Sequence, residues 1–193
     1  MTQHPYCYPG TDVLKNLEGI RDKAVLEEFE REHSGDRLLT LPPSFAIPPA
    51  GFRAIHRYLL QDVYEWAGKY RWVNTGRTAP FCKFEFIPGE MDRRFAAVRL
   101  DKWLRGLAPE TFAERAAEHV NELNAIHPFL DGNGRTQRAF LEVLARQAGH
   151  VFDVARVDAD AWNAASILGF HKQDHEPMRV VISAALAPRD PRL

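Results

Sequence analysis

The stretch His127-Pro128-Phe129-Leu130-Asp131-Gly132-Asn133-Gly134-Arg135-Thr136-Gln137-Arg138 decides how the chain is read. Before it, Phe112, Ala116, Val120 and Leu123 recur at helical spacing, and Pro128 cannot continue a helical ladder, so His127 is expected at a helix end. Gly132 and Gly134 bracket Asn133, which permits a tight turn with close backbone approach and several converging N–H groups. A second helix is expected to begin there. Its unsatisfied N–H groups and positive dipole end make an anion site, to which Arg135 and Arg138, at i and i+3, add two guanidinium groups. That arrangement suits a polyphosphate. Asp131 is the one acid on the loop, and a single carboxylate beside phosphates is what Mg2+ asks of a protein, because the ion keeps waters and takes phosphate oxygens as its other ligands. His127, with an ordinary imidazole pKa of about 6.5, is the general base for a hydroxyl nucleophile. Phe129 offers no chemistry and reads as the loop's anchor in the core. A base, a metal-bound nucleotide phosphate and positive charge for a leaving group amount to phosphoryl or nucleotidyl transfer.

The rest of the 193 residues agrees with a protein built around one such site. Lys and Arg number 25 against 26 Asp and Glu, a net charge of -1, which excludes a protein whose main task is coating nucleic acid or an anionic membrane. With 45% hydrophobic residues, the chain can bury one sizeable core. Cys7 and Cys82 are the only cysteines, too few for a disulfide framework or a cysteine zinc site, and a reducing, cytoplasmic setting is the simpler reading. The longest uncharged stretch, Leu38 to Phe52, carries four prolines and is no spanning helix, and the start, MTQHPYCYPG, lacks the basic and apolar parts of a signal peptide.

Periodicity predicts a mostly α fold with one β-hairpin. A short helix is expected from Thr11 or Asp12 to Gly19, and a second from Asp22 to the region of Ser34 and Gly35. The charges of the second (Glu27, Glu28, Glu30, Arg31, Glu32) read as a solvated face. A strongly apolar helix follows from Ala50, with Phe52, Ile55, His56, Leu59, Leu60, Val63 and Trp66 at helical spacing. From Lys69 to Pro88 aromatic and polar residues interleave, as in two extended segments around a turn. Helices resume at about 91–106, 111–126, 134–149, 158–170 and 174–185, with Thr111 and Glu114 expected as a capping box.

HPFLDGNGRTQR matches, at every defining position, the motif His-x-Phe-x-Asp/Glu-Gly-Asn-Gly-Arg-x-x-Arg, and so the chain resembles the Fic family. YPGTDVLKN near the start and TAPFCKFEFI before the motif are similar to the lead-in segment and flap of bacterial Fic toxins. The resemblance implies a single Fic domain over 1–193: an N-terminal helical segment 1–49, an all-α core 50–150 with a flap at about 74–86 and the motif at 127–138, and C-terminal helices 151–193. It implies protein adenylyltransfer, in which AMP passes from ATP to a Ser, Thr or Tyr hydroxyl of a target protein and pyrophosphate leaves. His127 would deprotonate the hydroxyl and Asp131 would hold Mg2+. Gly132, Asn133 and Gly134 would receive the phosphates through backbone and side chain, with Arg135 near the β-phosphate and Arg138 on the γ-phosphate. The flap would pair with an extended target segment. A type II topoisomerase subunit is one target class that such toxins imply.

Fic enzymes are commonly blocked by a helix bearing Ser/Thr-x-x-x-Glu-Gly/Asn. Here the only Glu before Gly or Asn is Glu18, and Leu14 stands four residues earlier, so the motif fails. The resemblance then implies a separate small antitoxin whose glutamate would meet Arg138. Transfer of another nucleotide or phosphate-containing group is the alternative within this chemistry, and a catalytically silent nucleotide- or antitoxin-binding module is the alternative outside it. Thr78 and Lys83 on the flap are candidates for nucleotide contact, and Asn163 for the wall of the adenine pocket. Trp66, Trp72, Trp103 and Trp162 read as core aromatics, Cys82 as a packed thiol, and His171 with His175 as solvated or capping side chains, since no third metal ligand is evident.

Overall fold

The structure is a computed structural model that describes residues 4–42, 47–76 and 79–187. Seven α-helices follow in chain order among these residues: α1 (Lys23–Leu39), α2 (Pro49–Leu60), α3 (Ile87–Leu100), α4 (Pro109–Ile126), α5 (Asn133–Ala148), α6 (Ala159–Lys172) and α7 (Glu176–Ala185). Strand β1 (Val151–Phe152) pairs antiparallel with β2 (Leu186–Ala187), Val151 facing Ala187. This two-stranded clasp ties the end of α5 to the end of α7 and was not expected from the sequence. None of the helices is long and apolar enough to cross a membrane.

The centre of the bundle is α4, which packs against α3, α5, α6 and α7. Phe112, Ala113, Ala116, Ala117, Val120 and Leu123 are all buried on it, and the alanines let neighbouring backbones approach. Its start departs from the expected capping box. Pro109 occupies the first turn and Phe112 N–H already bonds the carbonyl of Ala108 at 2.8 Å, so Thr111 lies inside the helix rather than at its cap.

Across the bundle, α2 packs on α1, α3 and α5. Phe52 on α2 is fully buried, its ring 5.9 Å from Phe95 of α3, 5.3 Å from Phe140 of α5 and stacked at 5.7 Å on Phe129. One aromatic side chain thus joins two other helices to the loop that follows α4. The helix ends at Leu60, earlier than the apolar spacing predicts, yet Val63, Tyr64 and Trp66 stay buried in the turns beyond it. Periodicity recorded burial there, not helix.

At the N-terminal end no helix forms over 11–19. Asn16 takes over the work of a ladder: its side chain donates to the carbonyls of Leu14 and Ile20 and accepts from Ile20 N–H. Asp12 pairs with Lys23 at 2.6 Å instead of capping a helix. Asp22 caps α1, which continues through Ser34 and Gly35 to Leu39.

Phe52→Ala is expected to lower unfolding free energy by about 3–5 kcal/mol, because the cavity would open where three elements meet. Urea denaturation at pH 7 measures it, and a loss below about 1 kcal/mol would show that the ring cluster can collapse around the gap.

Candidate active site

The loop between α4 and α5 is built by its own residues. His127 closes α4 in the left-handed region (φ 48°), with its N–H on the carbonyl of Leu123 at 3.0 Å. Asn133 turns its side chain inward: Oδ1 accepts from Phe129 N–H at 3.0 Å and Nδ2 donates to the Phe129 carbonyl at 2.9 Å. Both ends of the amide thus hold the loop, and the residue also lines the cavity in front of the helix start. Gly132 is the residue before the first turn of α5, at φ 75°, and a Cβ on it would stand 2.5 Å from Leu60 Cδ1. Only glycine satisfies both conditions. Gly134 differs, since a Cβ there would meet nothing nearer than Arg138 Nη1 at 3.6 Å. Protein packing does not demand its glycine.

Among the described residues no side chain caps α5, and its start lies at a cavity of about 370 Å³ lined by His127, Asp131, Gly134, Arg135, Arg138 and Asn163, among others. A narrower recess of about 150 Å³ adjoins it, walled by Phe81, Trp162, Ile167 and Phe170 and sharing His127, Gly134 and Asn163. The buried amide of Gln137 and hydroxyl of Ser166 have no partner there among the described residues. A polar cavity at a helix start beside an apolar slot fits a nucleotide, phosphates in the first and base in the second.

Residues 46–145 match the Fic/DOC family. The chain belongs to that family. The probable protein adenylyltransferase y4lH of Sinorhizobium fredii is 41% identical over 170 residues, which span 87% of this chain and 88% of the relative. The probable protein adenylyltransferase Fic of Escherichia coli is 36% identical over 169 residues, 86% of this chain and 84% of the relative. Among solved structures, BepC of Bartonella tribocorum with bound AMPPNP aligns with a TM-score of 0.89 at 28% identity, over 96% of this chain and 97% of that one. The N-terminal Fic domain of a Bartonella quintana Bep effector with bound ADP aligns with a TM-score of 0.90, also at 28% identity, over 98% of both chains.

Within this Fic fold the two motif arginines have different surroundings. Arg138 lies over the Trp162 ring, 5.7 Å from its centroid, and has no carboxylate within 4 Å among the described residues. Burial, and secondarily the Arg135 charge, disfavours its charged form, so an arriving anion relieves an existing penalty. Arg135 is instead committed: it pairs with Glu30 of α1 and donates to Ser34 Oγ at 3.0 Å. The solvated face expected for α1 is therefore wrong at Glu30, which is only 8% exposed.

The two arms of the flap meet in an antiparallel bridge between Gly76 and Pro80, with Phe81 N–H on the Thr75 carbonyl at 3.1 Å. Its second arm is not extended as expected. Cys82 N–H bonds the Ala125 carbonyl, Asn74 Oδ1 accepts from Phe84 N–H, and the chain turns into a 3-10 helix at Phe84–Phe86. That turn carries Lys83 away from the nucleotide cavity, into a separate groove with Arg93, Glu90 and Glu122. Thr78 lies outside the described residues. Phe81, expected only as an aromatic position of the hairpin, stacks on the His127 ring at 3.9 Å and 3°. Asn163 lines both cavities, and Trp162 is buried against the narrower one, but Trp72 is 56% exposed and not a core residue. His175 Nδ1 lies 2.9 Å from Asn121 Nδ2, and no metal-holding cluster of three His, Cys, Asp or Glu occurs among the described residues.

Two positioning residues escaped sequence reading. Arg71, 2% exposed, donates to the carbonyls of His127 (2.8 Å), Val73 (2.7 Å), Cys82 (2.5 Å) and Ile126 (3.3 Å). It puts a cation on the negative end of α4 and pins the flap's base to the motif. His56, fully buried, accepts Gly68 N–H on Nδ1 (2.7 Å), so Nε2 carries the proton that it donates to the Asp131 carbonyl (3.0 Å). Both were visible only as a hairpin residue and an apolar-helix residue.

Burial pushes His56 down to about 4, and His119, which meets Asp101 at 2.9 Å, down to about 4 as well. Below about pH 6.5 the unfolded chain binds protons that these two folded sites refuse, so stability is full above that pH and falls toward pH 4. Each contributes a slope of up to about 1.4 kcal/mol per pH unit in that window. The urea midpoint is expected to drop between pH 7 and pH 5, by less in His56→Gln; an unchanged midpoint contradicts neutral burial of both rings.

Proposed function

We propose that the protein is an adenylyltransferase that moves AMP from ATP to a hydroxyl side chain of another protein. One observation carries the reading: His127, the uncapped start of α5 and Arg138 all face one cavity that opens onto an apolar slot of base size. The likeness to proteins named adenylyltransferases and to Fic structures holding AMPPNP and ADP supports it.

His127 takes the proton of the target Ser, Thr or Tyr hydroxyl as its oxygen attacks the α-phosphorus. The new P–O bond forms as the bond to the β-phosphate oxygen breaks, and pyrophosphate leaves with the electron pair. The stacked Phe81 ring and the left-handed backbone hold the imidazole in one orientation. The N–H groups at the start of α5 and the Arg138 guanidinium receive the phosphates. Asp131, with its side chain 51% exposed on the same cavity, is the residue to hold Mg2+, which when bound neutralises phosphate charge.

The guanidinium of Arg138, free of any carboxylate among the described residues, is also where an inhibitory glutamate from a small antitoxin protein would bind. Co-expression with the neighbouring gene is expected to recover such a partner; a host that tolerates the active enzyme alone overturns this part.

Incubation with ATP and lysate is expected to add the mass of one AMP to a target protein, and His127→Ala to reduce the rate by about a hundredfold or more while ATP binding persists. GTP, UTP and CDP-choline in parallel test the base slot. An adduct from another donor, and none from ATP, sinks the adenylyl reading; unchanged transfer by His127→Ala sinks the role of the base.

A further inference from the structure

We infer that Glu30 is a positioning residue that holds the Arg135 guanidinium back from Asp131 and so keeps the Asp131 carboxylate open to a divalent cation. This rests on the reading of Asp131 given above. Glu30 lies on α1, outside residues 46–145 that match the family.

Glu30 and Ser34 stand at i and i+4 on the buried face of α1, 8% and 3% exposed. A carboxylate so far out of water is tolerated only when both oxygens are satisfied. Here they are: Oε1 takes Arg135 Nη2 and Oε2 takes the Tyr64 hydroxyl. Ser34 Oγ takes Arg135 Nη1 at 3.0 Å, so one helix grips the guanidinium at two points. Burial and the neighbouring Glu30 charge push the Tyr64 phenol well up, which keeps it a donor.

The same Nη2 stands 3.5 Å from Asp131 Oδ1, within ion-pair range but beyond a good hydrogen bond. Two carboxylates therefore compete for one cation. Glu30, its side chain 11% exposed against 51% for Asp131, is less screened and braced by Tyr64, and it wins. Asp131 and Arg135 are themselves an i,i+4 pair across the start of α5, so an Arg135 released by Glu30 would close on Asp131. Asp131 would then meet a metal ion with its charge already cancelled.

Glu30→Gln keeps the shape and removes the charge. The probe is Mn2+ in the presence of AMPPNP, read by electron paramagnetic resonance. Half-saturating Mn2+ is expected to rise by about tenfold or more, while affinity for AMPPNP in EDTA changes by less than about twofold. In an Arg135→Gln background the Glu30→Gln change is expected to add nothing. If Glu30→Gln does not fold, Ser34→Ala replaces it, with a rise of about threefold expected. Unchanged Mn2+ affinity overturns the inference, as does an equal loss of AMPPNP binding in EDTA. Tighter AMPPNP binding in EDTA also overturns it, since Glu30 would then be competing with phosphate. Failure of the unaltered protein to bind Mn2+ overturns this inference and the Mg2+ reading of Asp131 together.

Discussion

A neutral imidazole under the motif loop is the contact on which the site depends. His56 is fixed in one tautomer by Gly68 N–H, donates its other ring proton to the Asp131 carbonyl, and stacks on Phe129 at 3.8 Å. It holds the loop by one backbone carbonyl and by the Phe129 ring. With that carbonyl held, Gly132 can take its left-handed turn against Leu60, and the first turn of α5 presents its N–H groups outward. Phe52 and the reciprocal Asn133–Phe129 bonds complete a rigid floor beneath the helix start. Preorganisation of this kind suits phosphoryl chemistry, where positioning and charge stabilisation do most of the work.

Positive charge is divided in the same spirit. Arg71 is spent on carbonyls behind His127, Arg135 on the carboxylate and hydroxyl of α1, and only Arg138 faces the cavity without a carboxylate among the described residues. Three arginines within one site do three different things, and the difference lies in what the surrounding helices offer each. A guanidinium that is already paired steers its neighbours; one that is desolvated and unpaired attracts an anion.

The motif itself was legible because its features are local. Pro128 ends a helix by sterics, the glycines license the turn, and the residues between them follow within one short segment. Helix positions were legible wherever apolar spacing and a strong cap coincided, as at Asp22 for α1 and Asp158 for α6. The failures have physical causes too. Beyond Leu60 the apolar pattern continued through turns that happen to be buried, and Thr111 with Glu114 imitated a cap two residues inside a helix begun by Pro109. Lys83 left the site because two backbone hydrogen bonds, to Ala125 and Asn74, turn the flap into a 3-10 helix.

The sequence by itself determined the chemistry on offer: a base, a carboxylate, a glycine turn and two arginines in fixed order around a helix start. Those spacings lie within a few residues, so bonded geometry alone constrains them. Only the tertiary structure decided which arginine is free. Glu30 and Arg135 are 105 residues apart and Arg71 and His127 are 56 apart, and nothing local in a charged helix or an aromatic hairpin marks such a partner. Pairings at that range are set by how α1, α2 and α5 pack, because a buried charge takes whichever counter-charge the packing brings within reach.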